Sequence, residues 1–355
     1  MNVRKKAFQA TIDSLNATTA IVSAKRRGRK PRVPIVRPPD GTPGAVNTIL
    51  RGDCVAVMNA MPESSVDLVF ADPPFNIGYL YASYDDKKSV EEYLAFSEKW
   101  MAAVYRILKP SGSFFLAIGD EYAADLTVIA RRKIGFNMRN WIIWHYTFGQ
   151  QTKRMFAKSH THVLYFTKSA VVDEFTFNAD AIRVASARQT TYGDPRANPK
   201  GKVPDDTWFL RPQEAVPHAY FEPTSDTWNI SRVCGTFKER EGWHGCQMPI
   251  AVLDRVIRSA TNPGDIVLDP FNGSGTTIVS AALLGRKYIG IEQDPNYVSF
   301  AEKRLAHALE AQGATGPRAE ASPPEIINDA SRESKLLTPT DSFGRARVKR
   351  TRGRK

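Results

Sequence analysis

Short apolar runs, each closed by an acidic residue, set the architecture open to this sequence. Residues 47–50 run into Gly52-Asp53, residues 66–71 stop at Asp72, and residues 113–118 stop at Gly119-Asp120. Later, residues 266–268 stop at Asp269 and residues 288–291 at Glu292. Continuous rather than alternating apolar runs of this length are expected for strands buried on both faces of a parallel sheet. Between the second and third runs lies a helix signal: Ser89 with Glu92 three positions on forms a capping box, and Val90, Leu94, Met101, Val104 and Leu108 recur at helical spacing. Lys109-Pro110-Ser111-Gly112 is read as its stop. The unit is βαβ, so the fold class is α/β with helices covering both faces of the sheet. Further strands are expected at 141–146 and 162–166. A second αβ block spans 247–310, with Pro249 opening one helix and Pro295 the last.

Composition sorts the chain into a body and two arms. Its net charge is +12, but residues 25–32 carry six lysines and arginines and residues 345–355 carry seven, with no acid in either segment, so the remainder is nearly neutral. Cationic arms on a neutral body suit a polyanion, because each cation that neutralises a phosphate releases counterions. Arg27-Gly28-Arg29-Lys30-Pro31 resembles an AT-hook that enters a minor groove; a solubilising tail is the competing reading. Residues 1–45 and 311–355 are therefore expected to be basic disordered arms. The body divides into halves at 46–170 and 247–310, with an insertion at 171–246 that has no sustained periodicity. There is no internal repeat and no apolar run long enough to span a membrane. The basic N-terminus lacks a secretory signal, and a cytoplasmic location is expected. Cys54, Cys234 and Cys246 form no metal-ligand spacing, so no metal and no disulfide framework is expected.

Two strings carry the chemistry. Asp269-Pro270-Phe271-Asn272-Gly273-Ser274-Gly275-Thr276-Thr277 places a glycine turn between a strand and a helix, where backbone N–H groups meet a polar ligand. It lacks the Gly-Lys-Ser/Thr ending of a phosphate loop, and Ile278 stands where a dinucleotide fingerprint needs its third glycine. Glu292, at the end of the next strand, is placed to accept from both hydroxyls of a ribose. Asp72-Pro73-Pro74-Phe75 offers a carboxylate, an extended backbone with available carbonyls and an aromatic ring in four residues. Alone it also suits a plain strand-ending turn.

Together, Asp72-Pro73-Pro74-Phe75-Asn76 and the glycine string resemble the S-adenosylmethionine-dependent DNA amino-methyltransferases, in the circularly permuted, beta-type order with the catalytic motif first. The resemblance covers about residues 47–170 and 225–307. It implies a Rossmann-like, doubly wound sheet of seven strands with a reversed final pair, and it assigns 171–246 to target recognition. It further implies that Asp72 and the Pro73 carbonyl hold the amino group of a flipped base while Pro74 stiffens the loop and Phe75 stacks on the ring. Asp269, Phe271, Gly273, Ser274 and Gly275 would form the methionine side of the cofactor pocket, with Glu292 on the ribose, Asp53 on the adenine amino group and Gln247 a weaker contact. Many relatives have lysine where this chain has Met248. The implied cofactor is S-adenosylmethionine and the implied partner double-stranded DNA, with a homodimer and a restriction-modification role as further expectations. Asp at position 72 tilts the target toward adenine N6; cytosine N4 is the alternative, and a non-catalytic architectural DNA-binding protein is the reading from another class. Arg183, Arg188, Trp208 and Arg211 are candidates for reading the DNA.

Overall fold

Eight strands form one sheet among the described residues: β1 (Thr48–Arg51), β2 (Val66–Ala71), β3 (Leu108–Ile118), β4 (Asn137–Gln150), β5 (Lys158–Thr167), β6 (Thr207–Trp208), β7 (Ile266–Asp269) and β8 (Lys287–Glu292). This computed structural model describes residues 45–79, 84–150, 153–154, 156, 158–184, 186–190, 192–208, 240–241, 243 and 246–315. The AT-hook-like segment, the basic tail beyond 315, and residues 209–239 of the insertion, with Arg211, lie outside them.

The spatial order is β1-β8-β7-β2-β3-β5-β4-β6. β1, β8, β7, β2 and β3 pair in parallel, whereas β5 runs antiparallel to both β3 and β4. The β4–β5 hairpin thus folds back so that the later strand lies inside, which is the reversed pair that the resemblance implied. The seven strands that the resemblance implied are present, and β6 adds two further residues to the outer edge beside β4, too short to leave a pattern in the sequence.

Alternate residues of the central strands feed two cores. Val66, Val69, Ala71, Phe114, Leu116 and Leu268 pack on one face against helices α1 (Cys54–Ala60), α2 (Val90–Ile107) and α3 (Ala123–Val128). Leu68, Phe70, Phe115, Ala117 and Val267 pack on the other against α4 (Ile250–Ala260) and α5 (Thr276–Leu283). The last helix, α6 (Pro295–Thr315), contributes Leu305 to a smaller cluster with Ile278, Val279 and Leu283 of α5. The expected polar tail therefore begins later than residue 311, because the helix continues through Thr315.

The capping box forms as expected, with the Glu92 N–H donating to Ser89 Oγ at 3.2 Å and the Ser89 N–H to Glu92 Oε2 at 3.1 Å. Two details around α2 are corrections. Val90 is 50% exposed, and the buried stripe keeps the expected Met101 and Val104 but begins at Tyr93 and adds Ser97, Trp100 and Ile107. Leu108 leaves the helix for β3, and Lys109–Gly112 form an irregularity within that strand rather than a free turn: the register against β2 jumps from Val66↔Leu108 to Leu68↔Ser113. Asp67 holds the irregularity, accepting from Lys109 Nζ at 2.7 Å and from the Ile266 N–H at 2.9 Å.

Candidate active site

The winding of the sheet reverses between β7 and β2. From β7 the chain crosses to β8 on one side, and from β2 it crosses to β3 on the other, which leaves a crevice at the carboxyl ends of the two strands. Asp269 ends β7, Asp72 follows β2, Glu292 ends β8 and Asp53 follows β1. Four acids far apart in sequence therefore stand on four adjacent strands.

A cavity of about 510 Å³ opens there, within the size range of ordinary small-molecule sites. Asp72, Pro73, Pro74, Phe75, Gln247, Asp269, Phe271, Gly273, Ser274 and Glu292 all line it. Of the expected site residues, Asp53 and Gly275 do not. Asp53 is the N-cap of α1, its Oδ1 accepting from the Ala56 N–H at 2.9 Å, while its neighbours Gly52 and Cys54 reach the cavity. Gly275 acts through shape: it has φ 75° and caps α5, and a Cβ there would lie 3.0 Å from Ala301 Cβ. Gly290, in β8, is tighter still, since a Cβ there would fall 2.4 Å from Asn272 Oδ1.

Electrostatics distinguish the acids. Burial pushes the Asp72 carboxyl up to about 8, and the neighbouring Asp269 charge adds to the rise. Burial raises Asp269 to about 7 against the opposing pull of Thr277 and of the Phe271 N–H, which donates to its Oδ1 at 2.9 Å. Burial also raises Glu292, although three backbone N–H groups donate to it: Gly273 to Oε2 at 2.9 Å, Gln293 to Oε1 at 2.8 Å and Asp294 to Oε1 at 2.9 Å. A carboxylate has about four acceptor sites, so the backbone fixes Glu292 and leaves capacity on Oε2 for about one ligand hydroxyl. That narrows the expectation of a contact to both ribose hydroxyls.

The Asp72–Phe75 loop is anchored on α2, where the Tyr93 hydroxyl donates to the Pro74 carbonyl at 2.8 Å. The Phe75 ring lies over Gly119, at which a Cβ would come within 3.2 Å of Phe75 Cδ2. Phe271 packs edge-on against Trp100, with centroids 5.2 Å apart at 87°. Across the cavity, Trp144 and Tyr146 of β4 and His160 of β5 complete a wall that sequence reasoning missed. At its rim Lys158 pairs with Asp120 at 3.1 Å.

The model of a DNA methylase family, N6_N4_Mtase, matches residues 66–303, about two thirds of the chain. The chain belongs to this family of DNA methylases. It is 30% identical over 83% of its length to the Type II methyltransferase M.HpaI of Haemophilus parainfluenzae, covering 85% of that protein. It is 34% identical over 73% of its length to the DNA adenine methyltransferase YhdJ of Escherichia coli (strain K12), covering 82% of it. Among solved structures, the cytosine-N4-specific PvuII DNA methyltransferase shares the fold, with a TM-score of 0.52 and 19% identity over 74% of this chain and 90% of that one.

S-adenosylmethionine, the methyl donor of such a methylase, fits the residues present. The cavity carries two carboxyls held above their usual range by burial, and a sulfonium or ammonium group would favour their charged forms. Among the described residues of the insertion, the arginines singled out for DNA reading are engaged within the protein. Arg183 Nε lies 2.6 Å from Asp180 Oδ1, and Arg188 Nη2 lies 2.7 Å from Asp194 Oδ2. Trp208 sits in the edge strand β6. No helix of the described residues is long and apolar enough to cross a membrane, and no group of three or more His, Cys, Asp or Glu side chains among them could hold a metal.

Proposed function

We propose that this methylase transfers a methyl group to the N6 of an adenine flipped out of double-stranded DNA, with the acceptor at the β2–β7 crevice and the donor on the β7–β8 side. The observation that carries the reading is the convergence of Asp72 and Asp269 on one cavity from adjacent strands at the winding reversal. S-adenosylmethionine supplies an electrophilic methyl group on a cationic sulfur. Everything else is positioning and electrostatics from the protein.

An exocyclic amine is a poor nucleophile because its lone pair is delocalised into the base. Asp72 and the Pro73 carbonyl accept hydrogen bonds from its two N–H groups and favour a tetrahedral nitrogen, while Phe75 stacks on the ring and offsets part of the few kcal/mol that extrusion costs. The proton leaves after transfer, and Asp72, whose ionised form the cationic donor favours, can accept it. Glu292 orients a ribose hydroxyl of the cofactor. The glycine turn and Phe271 shape the pocket around the donor, with Gln247 at its edge. Adenine is favoured over cytosine by Asp rather than Ser at position 72 and by the likeness to a DNA adenine methyltransferase; the fold shared with a cytosine-N4 enzyme does not separate the two. The insertion at 171–246 is assigned to target recognition, the arm around Arg27-Gly28-Arg29 to the minor groove, and the protein to the cytoplasm as a homodimer.

The test incubates the protein with labelled S-adenosylmethionine and unmethylated genomic DNA and separates the nucleosides by mass. N6-methyladenine is expected. N4-methylcytosine would keep the mechanism and change the base, and absence of any methylated nucleoside would refute the reading.

A further inference from the structure

The loop after Phe75 is fixed more firmly than a connector requires. The buried Asp86, 2% exposed, accepts from the N–H of Asn76 at 2.8 Å, of Ile77 at 3.1 Å and of Tyr79 at 2.8 Å, and its carbonyl accepts from the Gly78 N–H at 2.9 Å. Every N–H from Asn76 to Tyr79 therefore ends on one residue. Asn76 is held in the left-handed region at φ 58°. Its side chain donates to the Lys88 carbonyl at 3.0 Å and to the Tyr122 hydroxyl at 2.9 Å, and accepts from the Lys88 N–H at 2.8 Å. Removing a carboxylate from water costs several kcal/mol unless hydrogen bonds replace the hydration. These bonds replace it and, in doing so, specify one loop conformation.

That conformation presents Ile77, 69% exposed, at the edge of the cavity and two residues beyond Phe75. A lone exposed aliphatic on a soft loop would be unremarked surface. This one stands on a pinned backbone, beside the residue assigned to stacking on the extruded base. We infer that Ile77 is a base-extrusion wedge: its side chain enters the stack of the duplex where the target base has left, and Asp86 and Asn76 hold it rigid for that purpose. Apolar side chains that insert between base steps are an established way to stabilise distorted DNA. The inference rests on the base-flipping reading of the site.

The experiment compares the wild type with Ile77→Ala on two synthetic duplexes carrying the methylated site mapped from genomic DNA. In one the target base is paired; in the other it faces a mismatch and is more easily extruded. Ile77→Ala should lower kcat/KM on the paired duplex at least about 10-fold and leave the mismatched duplex within about twofold. Fluorescence of 2-aminopurine at the target position should fall in the same variant, Ile77→Leu should retain both signals, and cofactor affinity should be unchanged. An equal loss on both duplexes, or no loss on either, overturns the wedge while leaving the methylase reading intact. A wild type that methylates neither duplex overturns that reading and the wedge with it.

Discussion

Replacing Asp72 by asparagine should inactivate the enzyme and stabilise the fold, and the stabilisation should depend on pH. Burial and Asp269 raise the Asp72 carboxyl from 3.8 to about 8. A folded-state value above the unfolded one means that the native state binds the proton more tightly. The contribution to stability is therefore fully present below about pH 4 and is lost progressively as pH rises through about 8. At about 1.4 kcal/mol per unit, the ceiling on that loss is about 6 kcal/mol. Asp72 is half-buried rather than sealed, so solvent relaxation reduces the ceiling, and about 2 kcal/mol is the working figure. For an ordered body of this size that corresponds to about 4–8 °C in Tm.

An asparagine at this position would keep the shape and never ionise. In thermal unfolding without cofactor, Asp72→Asn should match the wild type near pH 4, diverge across pH 4 to 8, and melt higher above that. S-adenosylmethionine, being cationic, should narrow the gap at high pH, and the neutral S-adenosylhomocysteine should narrow it less. Turnover should fall about 10²–10³-fold, because an amide presents one acceptor oxygen and a competing donor where the carboxylate presents two acceptors. A Tm difference that stays constant from pH 4 to 9, or a variant less stable than the wild type at pH 9, would refute the argument that Asp72 is an uncompensated acid maintained for function.

Three further outcomes follow from the geometry. Glu292→Gln keeps the side-chain shape but weakens its hydrogen bonding, and should raise the Kd for S-adenosylmethionine in calorimetry by about 10–100-fold, corresponding to about 1.5–3 kcal/mol for a bond to a charged group. Gly290→Ala drives a methyl into the Asn272 amide; it should cost about 1–3 kcal/mol by denaturant unfolding and weaken cofactor binding more than DNA binding. Ser89→Ala removes one side of the capping box and should lower stability by about 1 kcal/mol with kcat and cofactor Kd unchanged, which separates helix stability from site geometry.

The acids at strand ends were readable because an apolar run announces the strand and the residue that closes it must lie at the rim of a parallel sheet. Asp72, Asp269 and Glu292 stand where that logic puts them, and only the strand order was needed to make them neighbours. Asp53 satisfied the same logic and still turned its side chain to the Ala56 N–H, because an acid ahead of a helix has a partner closer than any ligand. On α2 the expected spacing holds through Leu94, Met101 and Val104; Val90 shares that face but sits in the first turn and is exposed, while Tyr93 and Trp100 bury the larger aromatic area. Arg183 and Arg188 look like DNA readers by residue type, but Asp180 and Asp194 engage them, and such pairing leaves no mark in a linear pattern. Asp86 shows the limit most sharply. In Tyr84-Asp85-Asp86-Lys87-Lys88 two identical side chains stand next to each other; Asp85 is exposed and, among the described residues, takes the Lys87 N–H, whereas Asp86 is buried and takes three. Its partners are backbone N–H groups, which nearly every residue type provides, so no substitution pattern within the loop could have pointed to it. A residue that positions a site through the main chain is therefore found only when the fold is known, and Asp86 fixes the backbone from Asn76 to Tyr79 on which Ile77 stands.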